Sequence, residues 1–285
     1  MKFRFKNRSI ACTGKTQVIG IVNVTPDSFS DGEEYYSTDK AVKHAIELIE
    51  AGASIIDIGG ESTRPGSEPV DVEEEIRRVL PVVCELRRER PDAVISVDTM
   101  KSEVAVKALE AGADIINDVS ALRNSRDMAG VIAEHRAGVF LMHMRGTPKT
   151  MQAKLHYRNL IGEINSFLTD SIRRAVDAGI NRENIAVDPG IGFGKNKEQN
   201  LQIISRIEKF RENGRPIVAG PSRKRFIGQI LGGIPPEERA WGTAGSVAYL
   251  AMRKIDFVRV HDVKEMVQML KVLSEINLLD VQFGL

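Results

Sequence analysis

The sequence predicts a TIM barrel, the α/β fold in which eight parallel strands, each followed by a helix, close into one (β/α)8 domain, here over residues 1–285. Short runs rich in Val and Ile alternate with longer amphipathic, charged stretches, which is typical of repeated strand–helix–strand units. The segment EAGA(S/D)II occurs at Glu50–Ile56 and again at Glu110–Ile116, each time as a helix end, a tight turn and a strand start. A length of 285 residues suits one closed barrel.

Eight strand–helix pairs can be placed along the chain in order. The predicted strands, each too short for a helix and rich in Val and Ile, are Val18–Asn23, Ser54–Ile58, Val94–Val97, Asp114–Asn117, Val139–Met142, Ile185–Val187, Ile217–Ala219 and Phe257–Val260. The predicted helices cover 38–51, 71–89, 102–111, 125–136, 159–178, 197–210, 237–252 and 262–278. Gly52 and Gly112 follow the first and third helices, where glycine readily ends a helix. An open doubly wound sheet is the alternative, but it usually has five or six parallel strands.

Composition argues against several partners. Lys and Arg total 40 against 39 for Asp and Glu, so a net charge of +1 gives no long-range attraction for nucleic acid. The two cysteines, Cys12 and Cys84, stand far apart and predict a reducing, cytoplasmic location rather than a disulfide framework. The segment 1–15 mixes basic and apolar residues without the apolar run of a signal peptide. No stretch approaches the ~18 apolar residues of a membrane span.

Polar residues stand where the predicted strands end, which is where barrel enzymes carry their active sites. They are Asn23, Asp57, Asp98, Asn117, His143, Asp188, Lys224, and Arg259 with His261. Any one of them could be a helix cap or a turn residue. Together we expect them to form one bowl, with acids and amides on one side and three cations from the last two strands opposite. Such a bowl suits a flat, hydrogen-bonding heterocycle that carries an anionic tail.

The loops after these strands point the same way. The first loop, Asn23–Gly32, and the second, Gly59–Gly66, are long and rich in glycine and hydroxyl groups, and we interpret them as mobile lids. The turn Gly220–Arg225 places hydroxyl and cationic groups where a helix should begin, a position that favours anions. The run Gly190–Lys195 lacks the spacing of a nucleotide P-loop, so we interpret it as a turn that lets backbone approach a ligand, with Phe193 as a stacking face.

Longer motifs connect the chain to a known family. They are NVTPDSFSDG at 23–32, DIGGESTRPG at 57–66, SVDT at 96–99, INDVSAL at 116–122, LMHMRGTPKTMQ at 141–152, DPGIGFGK at 188–195, SRK at 222–224 and RVHDVKE at 259–265. In this order, and covering nearly the whole chain, they resemble the bacterial dihydropteroate synthases, a family of pterin-binding barrels. The resemblance implies a transferase of folate biosynthesis, of the class that sulfonamides target. Its small-molecule substrates would be 6-hydroxymethyl-7,8-dihydropterin diphosphate and p-aminobenzoate, joined by an SN1-like displacement of diphosphate.

The resemblance also implies roles for individual residues. The pterin ring would contact Asp98, Asn117, Met142, Asp188, Phe193 and Lys224. The diphosphate would lie at Asn23, Arg64, Arg259 and His261, and Phe29, Thr63, Arg64, Pro65 and Ser222 would shape the p-aminobenzoate pocket. Asp98, Lys224, Arg259 and His261 would be catalytic, and Asn23 would be the protein ligand of a Mg²⁺ cofactor whose other ligands are phosphate oxygens and water.

Some features carry other interpretations. Pro221 replaces the small, polar or Met residue that the family commonly has before SRK, so the approach to Ser222 could differ. His143 could pack beneath the pocket or contact the ligand, and His44, His135 and His156 are interpreted as surface residues. Trp241 is interpreted as packing, while the small residues of 244–248 suit close helix packing and, by the resemblance, a homodimer.

Two other functions are compatible with a pterin-binding barrel. A pterin-dependent methyltransferase would share the barrel and the Asp/Asn cradle, but Arg259 and His261 and the second lid favour a diphosphate substrate. A catalytically silent pterin-binding paralogue should have lost lid or diphosphate residues, and none is missing.

Overall fold

Eight parallel strands surround the core of this computed structural model, which describes residues 1–25, 34–63, 66–147, 149–151 and 155–283, without the side chains of 34–37 and 277–283. The eight barrel strands are β3 (Gln17–Asn23), β4 (Ile55–Gly59), β5 (Ile95–Asp98), β6 (Ile115–Asp118), β7 (Gly138–Met142), β8 (Ile185–Asp188), β9 (Val218–Ala219) and β10 (Phe257–Val260). They are preceded by an antiparallel pair, β1 (Lys2–Phe5) and β2 (Arg8–Ala11). In the large sheet the barrel strands follow the order β8-β7-β6-β5-β4-β3-β10-β9. A parallel bridge between Val187 and Ile217 brings the two ends together, so the predicted barrel is confirmed.

Helices lie between the barrel strands. They are α1 (Glu34–Glu50), α2 (Val72–Glu89), α3 (Ser102–Glu110), α4 (Met128–Glu134), α5 (Leu160–Asp177), α6 (Lys197–Ser205), α7 (Arg225–Ile230), α8 (Ala240–Met252) and α9 (Val263–Phe283). The predicted helix over 197–210 is shorter, because the chain continues as a 3-10 helix over Ile207–Asn213. The predicted helix over 237–252 begins only at Ala240. A separate short helix, α7, begins at Arg225, where the turn Gly220–Arg225 predicted a helix start, but its range was not among the predicted helices. No helix in the described ranges is both long and apolar enough to cross a membrane.

A hairpin of β1 and β2, which is absent from the predicted strands, closes the lower end of the barrel. Phe3 and Phe5 are buried among the inward-facing residues of the strands, with the Phe3 ring centroid 5.3 Å from that of Phe140 and 5.7 Å from that of Phe257. A Cβ at Gly138 would lie 2.8 Å from Phe3 Cζ, so the Phe3 ring can occupy this position only because residue 138 is glycine. The lower half of the barrel interior is therefore a mainly apolar core.

Candidate active site

The upper half of the barrel interior is polar because strand register places polar side chains at one height. Asn23, Gly59 and Asp98 are neighbours across β3, β4 and β5, and Asn117 of β6 pairs with Asp98. Gly59 leaves space in this row, since a Cβ there would lie 3.6 Å from Asp98 Cβ and 3.9 Å from Asn23 Oδ1. The structure thus brings three of the predicted site residues together where their strands end.

A charged network fills the centre of this mouth. Arg259 Nε donates to Asp57 Oδ2 over 2.5 Å, and Arg259 Nη2 donates to Asp98 Oδ2 over 2.9 Å. Asn117 Nδ2 donates to the same Asp57 oxygen over 3.0 Å. The expectation that the cations stand opposite the acids is wrong for Arg259, because its long side chain reaches from β10 across β3 to the two carboxylates. Asp57, fully buried, was recognised as a strand-end residue but not assigned to the site.

Burial changes the protonation of the Asp98 carboxylate in this network. Removal from water raises the pKa of Asp98 to about 7, although Arg259 opposes the shift, and Asp57 adds to it. For Arg259, burial acts to lower the pKa, but the carboxylates of Asp57 and Asp98 raise it above its ordinary value. The guanidinium therefore stays cationic, while Asp98 can hold or release a proton near neutral pH.

Asp188 forms a second acidic position at the end of β8. Burial raises its pKa to about 6, against the opposing effects of a hydrogen bond from Gly190 N and of the Lys224 charge. The hydrogen bond from Gly190 N to Asp188 Oδ1 is 2.6 Å long. Lys224 Nζ lies 4.2 Å from the centroid of the Phe193 ring. Asp188, Lys224 and Phe193 thus belong to one side of the mouth.

The apolar surface beside Asp188 is a small cluster rich in methionine. Its buried members are Val119, Met142, Met144, Met151 and Phe193. Met142 and Phe193, which the family resemblance places in contact with the ring, therefore pack in one cluster. Methionine side chains adapt their shape to neighbouring rings, which suits the flank of a flat ligand.

The turn over Gly190–Lys195 is held from within by a buried ammonium group. Lys195 Nζ, with the residue 3% exposed, donates to the carbonyls of Gly190 and Phe193, each over 2.8 Å, and lies 3.0 Å from His143 Nδ1. Burial lowers the pKa of Lys195 to about 7 and that of His143 to about 2, so the imidazole is neutral. A Cβ at Gly190 would lie 1.9 Å from the His143 carbonyl oxygen. The packing interpretation of His143 is the one that this geometry favours.

The loops after β9 and β10 are tied together at the mouth. Ser222 Oγ lies 2.9 Å from His261 Nδ1, and His261 N donates to Ser222 Oγ over 3.2 Å. Arg223, with a φ of +57°, pairs with Asp262 through Nε over 3.1 Å. Burial lowers the pKa of His261 to about 3, helped by the charge of Arg259, so the expectation of a third cation is wrong. Ser222 and His261, assigned to different substrates, share one hydrogen-bonded unit.

The remaining predicted site residues belong to the first and second loops, of which the structure describes only part. Thr63 is the last described residue before the tip of the second loop and is half-buried. Phe29, Arg64 and Pro65 lie outside the described residues. Among the residues that are described, no three His, Cys, Asp or Glu side chains form a cluster able to hold a metal.

The fold and this mouth define a barrel protein with a polar, charged site where the parallel strands end. A family model described as "Pterin binding enzyme" matches residues 19–261. The chain is similar to the dihydropteroate synthase of Bacillus subtilis, at 47% identity over 94% of this chain and 91% of the relative. It is also similar to that of Escherichia coli strain K12, at 46% identity over 90% of each chain.

Solved structures agree with the sequence relatives. The dihydropteroate synthase of Yersinia pestis, in a sulfonamide drug complex, has a TM-score of 0.91 at 40% identity, over 97% of this chain and 99% of that one. The enzyme of Xanthomonas albilineans, with 4-aminobenzoic acid, has a TM-score of 0.90 at 42% identity, over 97% and 98% of the two chains. The chain therefore belongs to the pterin-binding enzymes and, among them, to the dihydropteroate synthases.

Proposed function

We propose that this chain condenses 6-hydroxymethyl-7,8-dihydropterin diphosphate with p-aminobenzoate to give 7,8-dihydropteroate and diphosphate. The observation that carries the proposal is the preformed mouth, in which Arg259 joins Asp57 and Asp98 and in which Asp188 lies beside a cluster of apolar side chains. The high identity to dihydropteroate synthases over most of the chain selects this reaction among pterin chemistries.

Ring recognition is assigned to the walls of the mouth. The 2-amino-4-oxo edge of a pterin presents adjacent N–H donors, which suit the acceptor oxygens of the Asp188 carboxylate. Asn117 and Asp98 would bind the remaining ring groups, and Lys224 would donate to a ring acceptor. Met142 and Phe193 would contact the faces. A ring bound without these partners would lose hydrogen bonds to water without replacement.

The chemistry proposed is an SN1-like displacement. The bond between the methylene carbon and the diphosphate oxygen breaks, and its electron pair leaves with the diphosphate. The amine nitrogen of p-aminobenzoate then forms the new C–N bond with its lone pair and afterwards releases a proton. Arg259 keeps its positive charge in the buried mouth and can stabilise the leaving diphosphate, while the neutral His261 can donate a hydrogen bond. Asp98 would stabilise the positive charge that develops on the ring.

Mg²⁺ is proposed as the cofactor, with Asn23 as its protein ligand. Asn23 stands at the end of β3 beside Gly59, which has no side chain to cover it, and its carboxamide oxygen is a ligand that suits an ion taking most of its ligands from substrate and water. When bound, the ion would neutralise charge on the diphosphate and orient it. Asn23 itself would fix the diphosphate end of the substrate at the end of β3.

The p-aminobenzoate pocket is proposed beside Ser222. Its hydroxyl, bonded to His261, would lie near the carboxylate of the second substrate. Thr63, from the loop after β4, would form part of the pocket wall opposite Ser222. Phe29, Arg64 and Pro65 keep their proposed roles in this pocket, and Arg64 its further role toward the diphosphate.

A homodimer and a cytoplasmic location are also proposed. Trp241, Gly245, Tyr249 and Met252 form one exposed stripe on α8, and Trp241 is 87% exposed rather than packed on the barrel as expected. Such an apolar stripe suits a second copy of the chain. The thiols of Cys12 and Cys84 are free, which suits a reducing compartment.

The test is turnover by the purified protein with Mg²⁺ and both substrates. We expect diphosphate and 7,8-dihydropteroate to appear in equal amounts, measured by a coupled phosphate assay and by chromatography. Ring binding without either product would favour the silent pterin-binding paralogue, and methyl transfer to a corrinoid would favour the methyltransferase. A rate that is unchanged by a chelator would contradict the role of Mg²⁺ alone.

A further inference from the structure

A second charged cluster lies outside the mouth, beneath the loop that follows β4. Lys101, in the loop after β5, donates from Nζ to Glu61 Oε2 and to Glu75 Oε2. The side chains of Glu75, Glu61 and Lys101 are 1%, 10% and 18% exposed. One ammonium group therefore joins the loop after β4 and helix α2 to the loop after β5.

The two joined loops carry residues that we assign to different substrates. Lys101 follows Asp98, proposed at the pterin ring, by three positions, and Glu61 precedes Thr63, proposed at p-aminobenzoate, by two. Lys101 N also donates to Thr99 Oγ1 over 3.2 Å, which fixes the backbone after Asp98. The Glu75 carboxylate is close enough to Asp98 to raise its pKa. The cluster thus connects the two loops that carry residues of the two proposed subsites.

The base of the loop after β4 lies directly on α2. A Cβ at Gly60 would be 2.7 Å from Val79 Cγ2 and 3.2 Å from Glu75 Cγ, so only glycine fits. Arg78 Nη1 donates to the Gly60 carbonyl over 2.9 Å, and Ser67 Oγ donates to the Ser62 carbonyl over 2.5 Å. Glu61 lies in the same part of this loop, and its side chain is bound by Lys101 from the loop after β5.

The cluster is an inefficient way to stabilise the fold. Two carboxylates share one ammonium, Glu75 Oε1 has no hydrogen-bond partner within the described ranges, and burial raises the pKa of Glu75. Apolar side chains of similar volume in such places are often equally or more stabilising. An ionic contact, however, specifies one arrangement of the two loops, because the acceptors must stay within reach of Nζ.

We propose that Lys101 is a positioning residue for the second substrate. Lys101 is anchored by its bond to the buried Glu75 and also binds Glu61. It thereby fixes the position of the loop after β4, including Thr63, relative to Asp98. This inference rests on the proposed function, since it assigns Lys101 to the p-aminobenzoate step and not to ring binding.

The test compares Lys101→Met with Lys101→Arg and with Lys107→Met. Lys107 pairs with Glu110 on the exposed side of α3, so its replacement removes a lysine ion pair without touching the loop. We expect Lys101→Met to raise the KM for p-aminobenzoate by about tenfold, because a misplaced loop costs orientation. The Kd of 6-hydroxymethylpterin should stay within about twofold of wild type, Lys101→Arg should recover most of the KM, and Lys107→Met should change neither quantity.

Hydrogen exchange gives a readout that does not need turnover. In Lys101→Met, amides of residues 60–63 should exchange faster, while those of β6 should not change.

If Lys101→Met fails to fold, Glu61→Gln should raise the same KM by a smaller factor. Equal changes in the KM and in the pterin Kd, or an unchanged KM in an active folded variant, would overturn the proposal. An inactive wild type with faster exchange in Lys101→Met would instead contradict the proposed function and leave the loop contact established.

Discussion

The lower and upper halves of the barrel interior are built on the same strands but have opposite chemistry. Moving two residues up a strand exchanges an apolar side chain for one of the mouth, as in Ile55 and Asp57, Ile115 and Asn117, Phe140 and Met142, Ala186 and Asp188, and Phe257 and Arg259. The lower half buries rings against the N-terminal hairpin. The upper half buries the carboxylates of Asp98 and Asp188, whose pKa values rise because water is removed. Stability and recognition are thus separated by about one layer of side chains.

The largest effect on folding should come from the lower half. Phe3→Ala removes a fully buried ring that contacts Phe140 and Phe257 and leaves a cavity, so we expect a loss of about 4 kcal/mol in the free energy of unfolding. Urea unfolding measures the loss. The Kd of 6-hydroxymethylpterin for the folded variant should match wild type; a large change in Kd would show that the two halves are not separate.

Replacement of Arg259 should reduce stability less than Phe3→Ala does, but it should reduce turnover more. Arg259→Ala leaves Asp57 and Asp98 without their cation, which should cost about 3 kcal/mol by urea unfolding at alkaline pH. The loss should shrink as the pH falls toward about 7, because the Arg259 charge lowers the pKa of Asp98, so the variant takes up a proton at a higher pH than the wild type does. Below about 7 both proteins are protonated at Asp98, and the difference should level off. Turnover should fall severely at every pH. A variant that retains wild-type turnover would remove Arg259 from the proposed chemistry.

The smallest expected effect is a pH-dependent one at Asp188. Its pKa is about 6 in the folded protein against an ordinary value of 3.8, so between these values the folded chain holds a proton that the unfolded chain lacks. This carboxyl therefore lowers stability progressively as the pH rises through that window. Relative to wild type, Asp188→Asn should become more stable as the pH rises from about 4 to about 6 and then level off. Urea unfolding across this range checks the trend, and a constant difference would contradict the raised pKa.

The sequence was sufficient for the barrel because each strand is a short Val- and Ile-rich run between amphipathic stretches. It was not sufficient for the hairpin, since Phe3 and Phe5 alternate with basic residues in a segment with no longer apolar run; that alternation is the signal for β1. The contact of Arg259 with Asp57 spans 202 positions of sequence, and the neutrality of His261 depends on burial. Neither can be read from local pattern. The motif DIGGESTRPG contains Asp57 and Glu61, but their partners are distant in sequence: Asn117 and Arg259 on other strands, and Lys101 in the loop after β5.

The most direct test of the division between the two halves is the affinity of Asp188→Asn for 6-hydroxymethylpterin, measured by calorimetry near pH 8 beside its urea unfolding curve. Loss of a charged acceptor facing the N–H donors of the ring should weaken binding by about 100-fold, while the free energy of unfolding stays equal to wild type or rises. Equal affinity in the two proteins, or a loss of stability as large as the loss of binding energy, would contradict the assignment of Asp188 to ring recognition.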